Sequence, residues 1–451
     1  MKAICSIIAL LTTAGLSTLD SAAGALAASA REARISACPG GGTGERAGQL
    51  DTTFGQAGTG IARLSFGAGD DGGFFDLDIL GDTIVAGGWG MGGLGATRFR
   101  VARLTDAGAP DPSFGGSGMV TTGWASSSAE RVYAVAVDHQ RNGDILAMGS
   151  RDRFRSERSK IALARYNPDG SLDSSFGDSG KSLIELRGTT QILNGLVLRD
   201  DRILVVGKLD GYLLVARATA NGALDTSFAR PDGYWSPEMG DVSEAQAVAV
   251  DGRGRIVVVG STSTASSGRD MVVLRFTANG TPDRAFGREG RVIAGDPGVD
   301  ERAVAVALSP DGRIVVAGDG GPNGTQDFQV RSFLPDGAPD LAFGEAGVAR
   351  PPITDGDDRA EDMVLLPGGD ILVVGNRHDA RATEPLVARY TCSGALDPSF
   401  GAGGVLRLDL GESGVAHAVR MYSDDRVLIG GADVAMTPGP GTYGVVARMW
   451  I

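Results

Sequence analysis

The stretch GAPDLAFGEAGV, residues 337–348, packs Pro339, Asp340, Phe343, Gly344 and Gly347 into twelve positions. Six other stretches carry the same phrase: GQLDTTFGQAGTG (48–60), GAPDPSFGGSGMV (108–120), GSLDSSFGDSGKS (170–182), GALDTSFARPDGY (222–234), GTPDRAFGREGRV (280–292) and GALDPSFGAGGVL (394–406). Their phenylalanines, Phe54, Phe114, Phe176, Phe228, Phe286, Phe343 and Phe400, stand 60, 62, 52, 58, 57 and 57 residues apart. Self-similarity at such a period marks a propeller, a solenoid or an array, in which every repeat is one supersecondary unit.

The intervals can be read strand by strand. After Phe343 come GVARPPI, DMVLL, DILVVG and PLVARYT, and then the next motif. The third piece recurs as DTIVAG, DILAMG, RILVVG, RIVVVG, RIVVAG, DILVVG and RVLIG, ending at Gly87, Gly149, Gly207, Gly260, Gly318, Gly375 and Gly430. The fourth recurs as RVARL, ALARY, LVARA, VVLRF, QVRSF, LVARY and VVARM. Short apolar runs broken by Gly, Asp and Pro read as strands. Turns such as SPDGR (309–313) and LPGGD (366–370) join the second piece to the third, with Gly supplying positive φ and Asp bonding its own backbone. Seven four-stranded meanders make too large an open sheet, whereas radial packing hides most edges. The expected fold is all-β, a seven-bladed β-propeller over residues 49–451 built from seven four-stranded repeats of about 57 residues.

These residues also carry a family resemblance. The LDxSFGxxG core, in all seven copies over 49–451, resembles the delta-60 repeat of bacterial exported proteins, a β-propeller domain of unknown function. The resemblance implies fold and export, and it brings no catalytic residues. Ala229 departs from it, standing where six copies have Gly. The order AVAVALSPDGRIVVAGD (303–319) is similar, more weakly, to NHL-type propeller repeats. That likeness would make the VAVAL piece the innermost strand of a blade. The chain would then end on the third strand of the last blade, and GIARLSF (60–66) would return to fill its outermost place. Such closure removes a free edge.

Length and composition agree with one large repeat-built domain. The 451 residues include 70 Gly, only 6% are aromatic, and no amphipathic stretch of period 3.6 stands out. The formal charge of −13 is spread along the chain, a surface that repels nucleic acid. Residues 1–30 have one Lys, an apolar run from Ala3 to about Leu16 and small residues at Ala25, Ala27, Ala28 and Ala30, the pattern of a cleaved secretory signal. A flexible segment, 31–48, follows. No later run is long enough to span a bilayer, so the expectation is a secreted or periplasmic protein that does not span the membrane and acts as a monomer. Cys5 leaves with the signal. Cys38 and Cys392 remain as an even pair in an oxidising compartment, where a disulfide between them would tie the segment before the first blade to the last part of the ring.

Function is expected on one face. In an up-and-down meander alternate connections lie at the same end, so the hairpin turns and the motif turns share a face on which the copies are similar. The opposite face carries unlike loops, among them GWGMGGLGATR from Gly88, SRDRFRSERSK from Ser150 and NRHDARATE from Asn376. A shared scaffold with unlike loops is how binding surfaces are commonly made. On that face Trp89 and Trp124 could stack on a sugar, with blade packing the plainer role for them. Arg151, Arg153 and Arg155 could meet an anionic group, or pair with Asp152 and Glu157; His378, on the loop from Asn376, is a further candidate for ligand contact. Asp355, Asp357 and Asp358, with Glu361 and Asp362, could hold Ca2+ through oxygen ligands, or form a solvated rim. No other cofactor is expected. Catalysis has little support, since His139, His378 and His417 fall in different repeats and no HExxH, GxSxG or CxxC occurs. The expected function is therefore a non-enzymatic binding or scaffold protein with a protein, glycan or cell-surface ligand. The alternative is a hydrolase or lyase acting on carbohydrate through paired carboxylates.

Overall fold

The computed structural model describes residues 46–451, apart from 66–70, 92–95, 125–129, 154–156, 265–267, 297, 322–325, 380–382 and 435–441. The signal reading, the linker as far as residue 45, Cys38 and Arg155 thus lie outside the described residues, whereas Gly48, at the end of the linker, donates from N to Trp450 O at 2.9 Å. The chain forms seven four-stranded antiparallel sheets. Blade 1 is β2 (Gly72–Leu80), β3 (Thr83–Met91), β4 (Thr97–Leu104) and β5 (Met119–Thr122); blade 2 is β6 (Glu130–His139), β7 (Ile145–Arg153), β8 (Glu157–Tyr166) and β9 (Lys181–Ile184). Blade 3 is β10 (Thr190–Val197), β11 (Ile203–Leu209), β12 (Tyr212–Ala218) and β13 (Tyr234–Trp235); blade 4 is β14 (Val242–Val250), β15 (Ile256–Thr264), β16 (Gly268–Phe276) and β17 (Arg291–Ala294). Blade 5 is β18 (Asp300–Leu308), β19 (Ile314–Gly321), β20 (Asp327–Phe333) and β21 (Val348–Ala349); blade 6 is β22 (Asp357–Leu365), β23 (Ile371–His378), β24 (Thr383–Tyr390) and β25 (Val405–Arg407). Blade 7 takes β26 (Gly414–Ser423), β27 (Arg426–Val434) and β28 (Thr442–Trp450) from the end of the chain. Its outer strand is β1 (Ile61–Leu64), which pairs antiparallel with β28 from Ile61 opposite Ala447 to Leu64 opposite Gly444. The closure expected from the sequence is the one observed. Each first strand also neighbours those of the adjacent blades, β26 meeting β2, so a closed inner ring surrounds an axis.

The repeated motif holds blade to blade. All seven motif phenylalanines are buried, none more than 2% exposed. Each lies against a glycine of the following repeat, Phe286 for example against Gly337. Gly337 has φ +92°, and a Cβ there would stand 2.9 Å from the Phe286 ring, so the position needs glycine for both conformation and space. The main chain makes the same crossing where Gly287 N donates to Asp336 O at 2.8 Å. Motif aspartates cap their own turns: Asp225 accepts from Ser227 N at 3.0 Å, and Asp397 from Ser399 N at 3.0 Å.

The arginine that precedes the motif completes the staple. Arg217 donates from Nε to Asp225 at 2.8 Å and from Nη1 to Ala278 O of the next blade at 2.6 Å, and its guanidinium lies 4.6 Å from the centre of the Phe228 ring. Arg103, Arg165, Arg275 and Arg448 repeat this arrangement, and Arg389 pairs with Asp397 and Asp370. In blade 5, where Ser332 replaces the arginine, Arg313 reaches Asp340 from the hairpin turn before β19 at 3.4 Å. Blade 3 differs at its motif turn. Ala229 takes φ +41°, and Gly233, the equivalent of Gly180, comes one residue later after Phe228 than Gly180 does after Phe176.

Candidate functional site

Every inner strand has a register irregularity at the same place, and β26 has a second one between Met421 and Ser423. The extra residues are Phe75, Val135, Leu193, Gln246, Val304, Glu361 and His417. A β-bulge places two residues opposite one and re-aims a side chain that the pleat would send elsewhere. Here all seven re-aimed side chains line one cavity on the axis, about 430 Å3 in volume.

The bulge also explains the recurrent glycine of the second strand. It turns a carbonyl onto that strand, so that a Cβ on Gly149, Gly207, Gly260, Gly318 or Gly375 would stand 1.8 to 2.1 Å from the oxygen of Tyr133, Gln191, Glu244, Arg302 or Arg359. In blades 1 and 7 the glycine in this role is Gly88 or Gly431, one residue beyond the Gly87 and Gly430 that the sequence pattern selects. Gly87 and Gly430 instead give room to Val137 and Leu77 of the next blade.

Charges around the cavity are paired. Arg420 of β26 donates to Asp362 of β22 at 2.5 Å and to Asp76 of β2, bridging three blades. Although burial disfavours its charge, these two carboxylates hold the guanidinium above its ordinary value. Asp76 and Asp362 in turn accept from the main chain of the next blade, at Val137 N (3.0 Å) and Val419 N (2.9 Å). Burial still raises Asp76 to about 6. Arg302 of β18 pairs with Asp319 of β19 at 3.0 Å. Toward the hairpin-turn end Asp78 pairs with His139, and Asp138 is raised by burial and by Asp78.

The groups left over are neutral or close to it. Burial lifts Glu361 to about 7, against the pull of Arg302, and lowers His417 to about 4. His417 packs against Phe75 with ring centres 5.0 Å apart. Among the described residues the side chains of Gln191, Asn194, Glu361 and His417 face the cavity with no hydrogen-bond partner. Phe75, Tyr133, Leu193 and Val304 supply apolar wall.

The shift at Glu361 makes a prediction about pH. The folded chain holds this proton above the unfolded pKa of about 4.5, so the group's contribution to stability falls as pH rises from there toward 7. Asp76 and Asp138 act in the same direction, and His417 in the opposite one between about 4 and 6.5. Glu361→Gln keeps a neutral side chain at every pH. In urea unfolding, E361Q should therefore gain on the wild type between pH 5 and pH 8.

The sequence-predicted residues scatter around this centre. Trp89, on β3, stands edge-on to Tyr133 with centres 6.0 Å apart, next to the cavity lining. Trp124 packs edge-on to Phe99 of its own blade, with ring centres 5.1 Å apart. Arg151 lies on β7, opposite Lys160, and the backbone of Arg153 pairs with that of Glu157. His378 ends β23 and is exposed, with Thr383 3.4 Å away. The three aspartates proposed for Ca2+ share a segment but turn to different partners. Asp355 pairs with Arg377 at 2.8 Å, Asp357 with Arg359 at 3.0 Å, and buried Asp358 accepts from Thr354 N and Oγ1, both at 2.8 Å. Among the described residues no group of three or more His, Cys, Asp or Glu side chains is placed to hold a metal. Cys392 is disulfide-bonded; the chain's other cysteines, Cys5 and Cys38, lie outside the described residues. Among the described residues no helix is long and apolar enough to cross a membrane.

The sequence placed Glu361 and Asp362 in an acidic cluster, open to Ca2+ or to a solvated rim, and did not bring out Phe75, Gln246, Arg302 or His417 as a set. One signal was available: polar residues interrupt first strands that otherwise read as apolar, as in VAHAVRM (415–421).

Comparison with known proteins gives the architecture a place. Residues 82–114, 140–176, 198–228, 254–286, 309–343 and 367–400 match the model of a family described as a domain of unknown function (DUF5122) beta-propeller. No curated protein matches the chain. Among solved structures, Drosophila semaphorin 2a is similar at 8% identity with a TM-score of 0.51, over 86% of this chain and 75% of that one. A Dyadobacter fermentans protein of unknown function is similar at 15% identity with a TM-score of 0.45, over 72% of this chain and 96% of that one. Identities this low speak to the fold alone.

Proposed function

We propose that the protein is an exported, non-enzymatic binding protein that takes a neutral polyhydroxylated ligand, a sugar unit of a glycan, into the axial channel from the face bearing the unlike loops. One observation carries this reading: seven copies of a single bulge present six kinds of side chain, valine twice, to one cavity. Its arginines are committed to ion pairs, and Gln191, Asn194, Glu361 and His417 are left open. A cavity of this volume with an apolar wall and a few convergent polar groups has the form of a small-ligand site. Uncharged donors and acceptors suit hydroxyl groups, and Phe75 and Tyr133 offer faces to the apolar side of a sugar ring. Trp89, beside Tyr133, extends that wall.

The test is calorimetric titration with a panel of neutral and acidic oligosaccharides. A neutral member should bind, and F75A and E361Q should each weaken it by about tenfold, the worth of one well-made buried contact. Failure of every neutral sugar, or unchanged affinity in both variants, contradicts the reading. A second reading rests on the pair that the bulge brings together. Glu361, raised toward neutrality, could serve as a general acid beside Asp362, which is ion-paired to Arg420, in a hydrolase or lyase acting on carbohydrate. Turnover of a bound sugar by the wild type, abolished in E361Q, would favour it over binding alone.

A further inference from the structure

The face opposite the unlike loops has a site of its own. Between the hairpin turns of blades 2, 3 and 4 lies a cleft of about 550 Å3, separate from the axial cavity in its lining residues. Leu196, Leu198, Val250 and Ile256 give it an apolar floor, and Arg141 and Arg199 stand on it as exposed side chains.

Three carboxylates border the cleft, and each is already engaged. Asp200 pairs with Arg202 at 2.5 Å, and Asp251 accepts from Arg255 Nε at 2.6 Å and from two backbone N–H groups at 2.9 Å. Asp138 accepts from Val197 N and His139 N, both at 2.7 Å. Among the described residues neither the Arg141 nor the Arg199 guanidinium has a hydrogen-bond or ion-pair partner. The turn that carries Arg141 is nevertheless fixed to blade 3. Arg141 N donates to Asp201 Oδ1 at 3.3 Å and Gln140 Nε2 to Asp201 O at 3.2 Å. Two uncommitted guanidinium groups thus stand beside apolar surface, each with its planar fork of donors open.

We infer that this cleft binds an amphipathic acid: one carboxylate or phosphate monoester held by Arg141 and Arg199, with an apolar body on the floor between blades 3 and 4. Arginine suits such a head group because its planar fork can donate two parallel hydrogen bonds to it. The inference is independent of the reading of the axial channel.

Four probes separate the contributions: octanoate, octyl phosphate, octanol and acetate, each titrated into the full chain by calorimetry. Octanoate or octyl phosphate should bind at least about tenfold more tightly than octanol or acetate, the effect of a charge-assisted hydrogen bond. Comparison of the two anions identifies the preferred head group. R141A/R199A should remove that advantage while leaving the weak binding of octanol, and both side chains are exposed, so the variant should fold. R187A/R407A, which removes the same charge elsewhere, should bind as the wild type does. No binding of either amphipathic acid, equal binding of octanol, or full affinity in R141A/R199A overturns the inference.

Discussion

Phe286→Ala is expected to destabilise the protein by about 3–5 kcal/mol, the range for truncating a buried aromatic side chain. The ring is fully buried, carries the Arg275 guanidinium 4.6 Å from its centre, and fills the space under Gly337 of the next blade. Truncation would open a cavity between blades 4 and 5 that the glycine turn cannot fill, since the backbone of that turn is fixed by the bond from Gly287 N to Asp336 O. Because the same Phe–Gly contact recurs at each blade junction, F176A should lose a similar amount. Denaturation midpoints of the two variants and the wild type check this. A loss below 1 kcal/mol would mean that the motif phenylalanine does not carry the junction.

Gly260→Ala should lose about 3 kcal/mol, at the upper end of the usual range for overpacking. The new Cβ would lie 1.9 Å from Glu244 O, a main-chain atom held by the bulge of β14, so relief requires the strand itself to move. The φ of Gly260 is ordinary, which isolates the steric effect from conformational preference. Gly252→Ala is the control. It is an exposed glycine of the adjoining hairpin turn whose Cβ would meet nothing within 4 Å, and it should unfold with the wild type or slightly later. Equal stability of G260A and G252A would dispose of the proposed contact between bulge and glycine.

The ring was legible because its determinants are local and repeated. Asp caps, Gly turns and Phe plugs act within one motif or onto its neighbour, so seven copies announce seven blades. The Arg–Asp staple was legible for the same reason, with Ser332 as its visible exception. Closure through GIARLSF followed from the phase of the repeat. The axial site was much less readable. A bulge adds a residue without a distinctive sequence of its own, and apart from Val135 and Val304 the side chains it re-aims differ from blade to blade, so no pattern joins Phe75 to Gln246 or His417. Only the ring brings them within one cavity. For the same reason Gly88 and Gly431 could not be told from their glycine neighbours until the carbonyl that presses on them was located. Trp89 stands out in the sequence for its aromatic chemistry alone, and Tyr133, against which it packs, comes from the neighbouring blade.

In the proposed function the motif builds the ring and the ligand is held on its axis. Hydrogen–deuterium exchange with and without a saturating neutral oligosaccharide from the titration panel tests it most directly. Slower exchange in the inner-strand segments around Phe75, Gln246, Glu361 and His417, with the motif turns such as 337–348 unchanged, is the predicted result. Protection confined to the motif turns, with none on the inner strands, would contradict it.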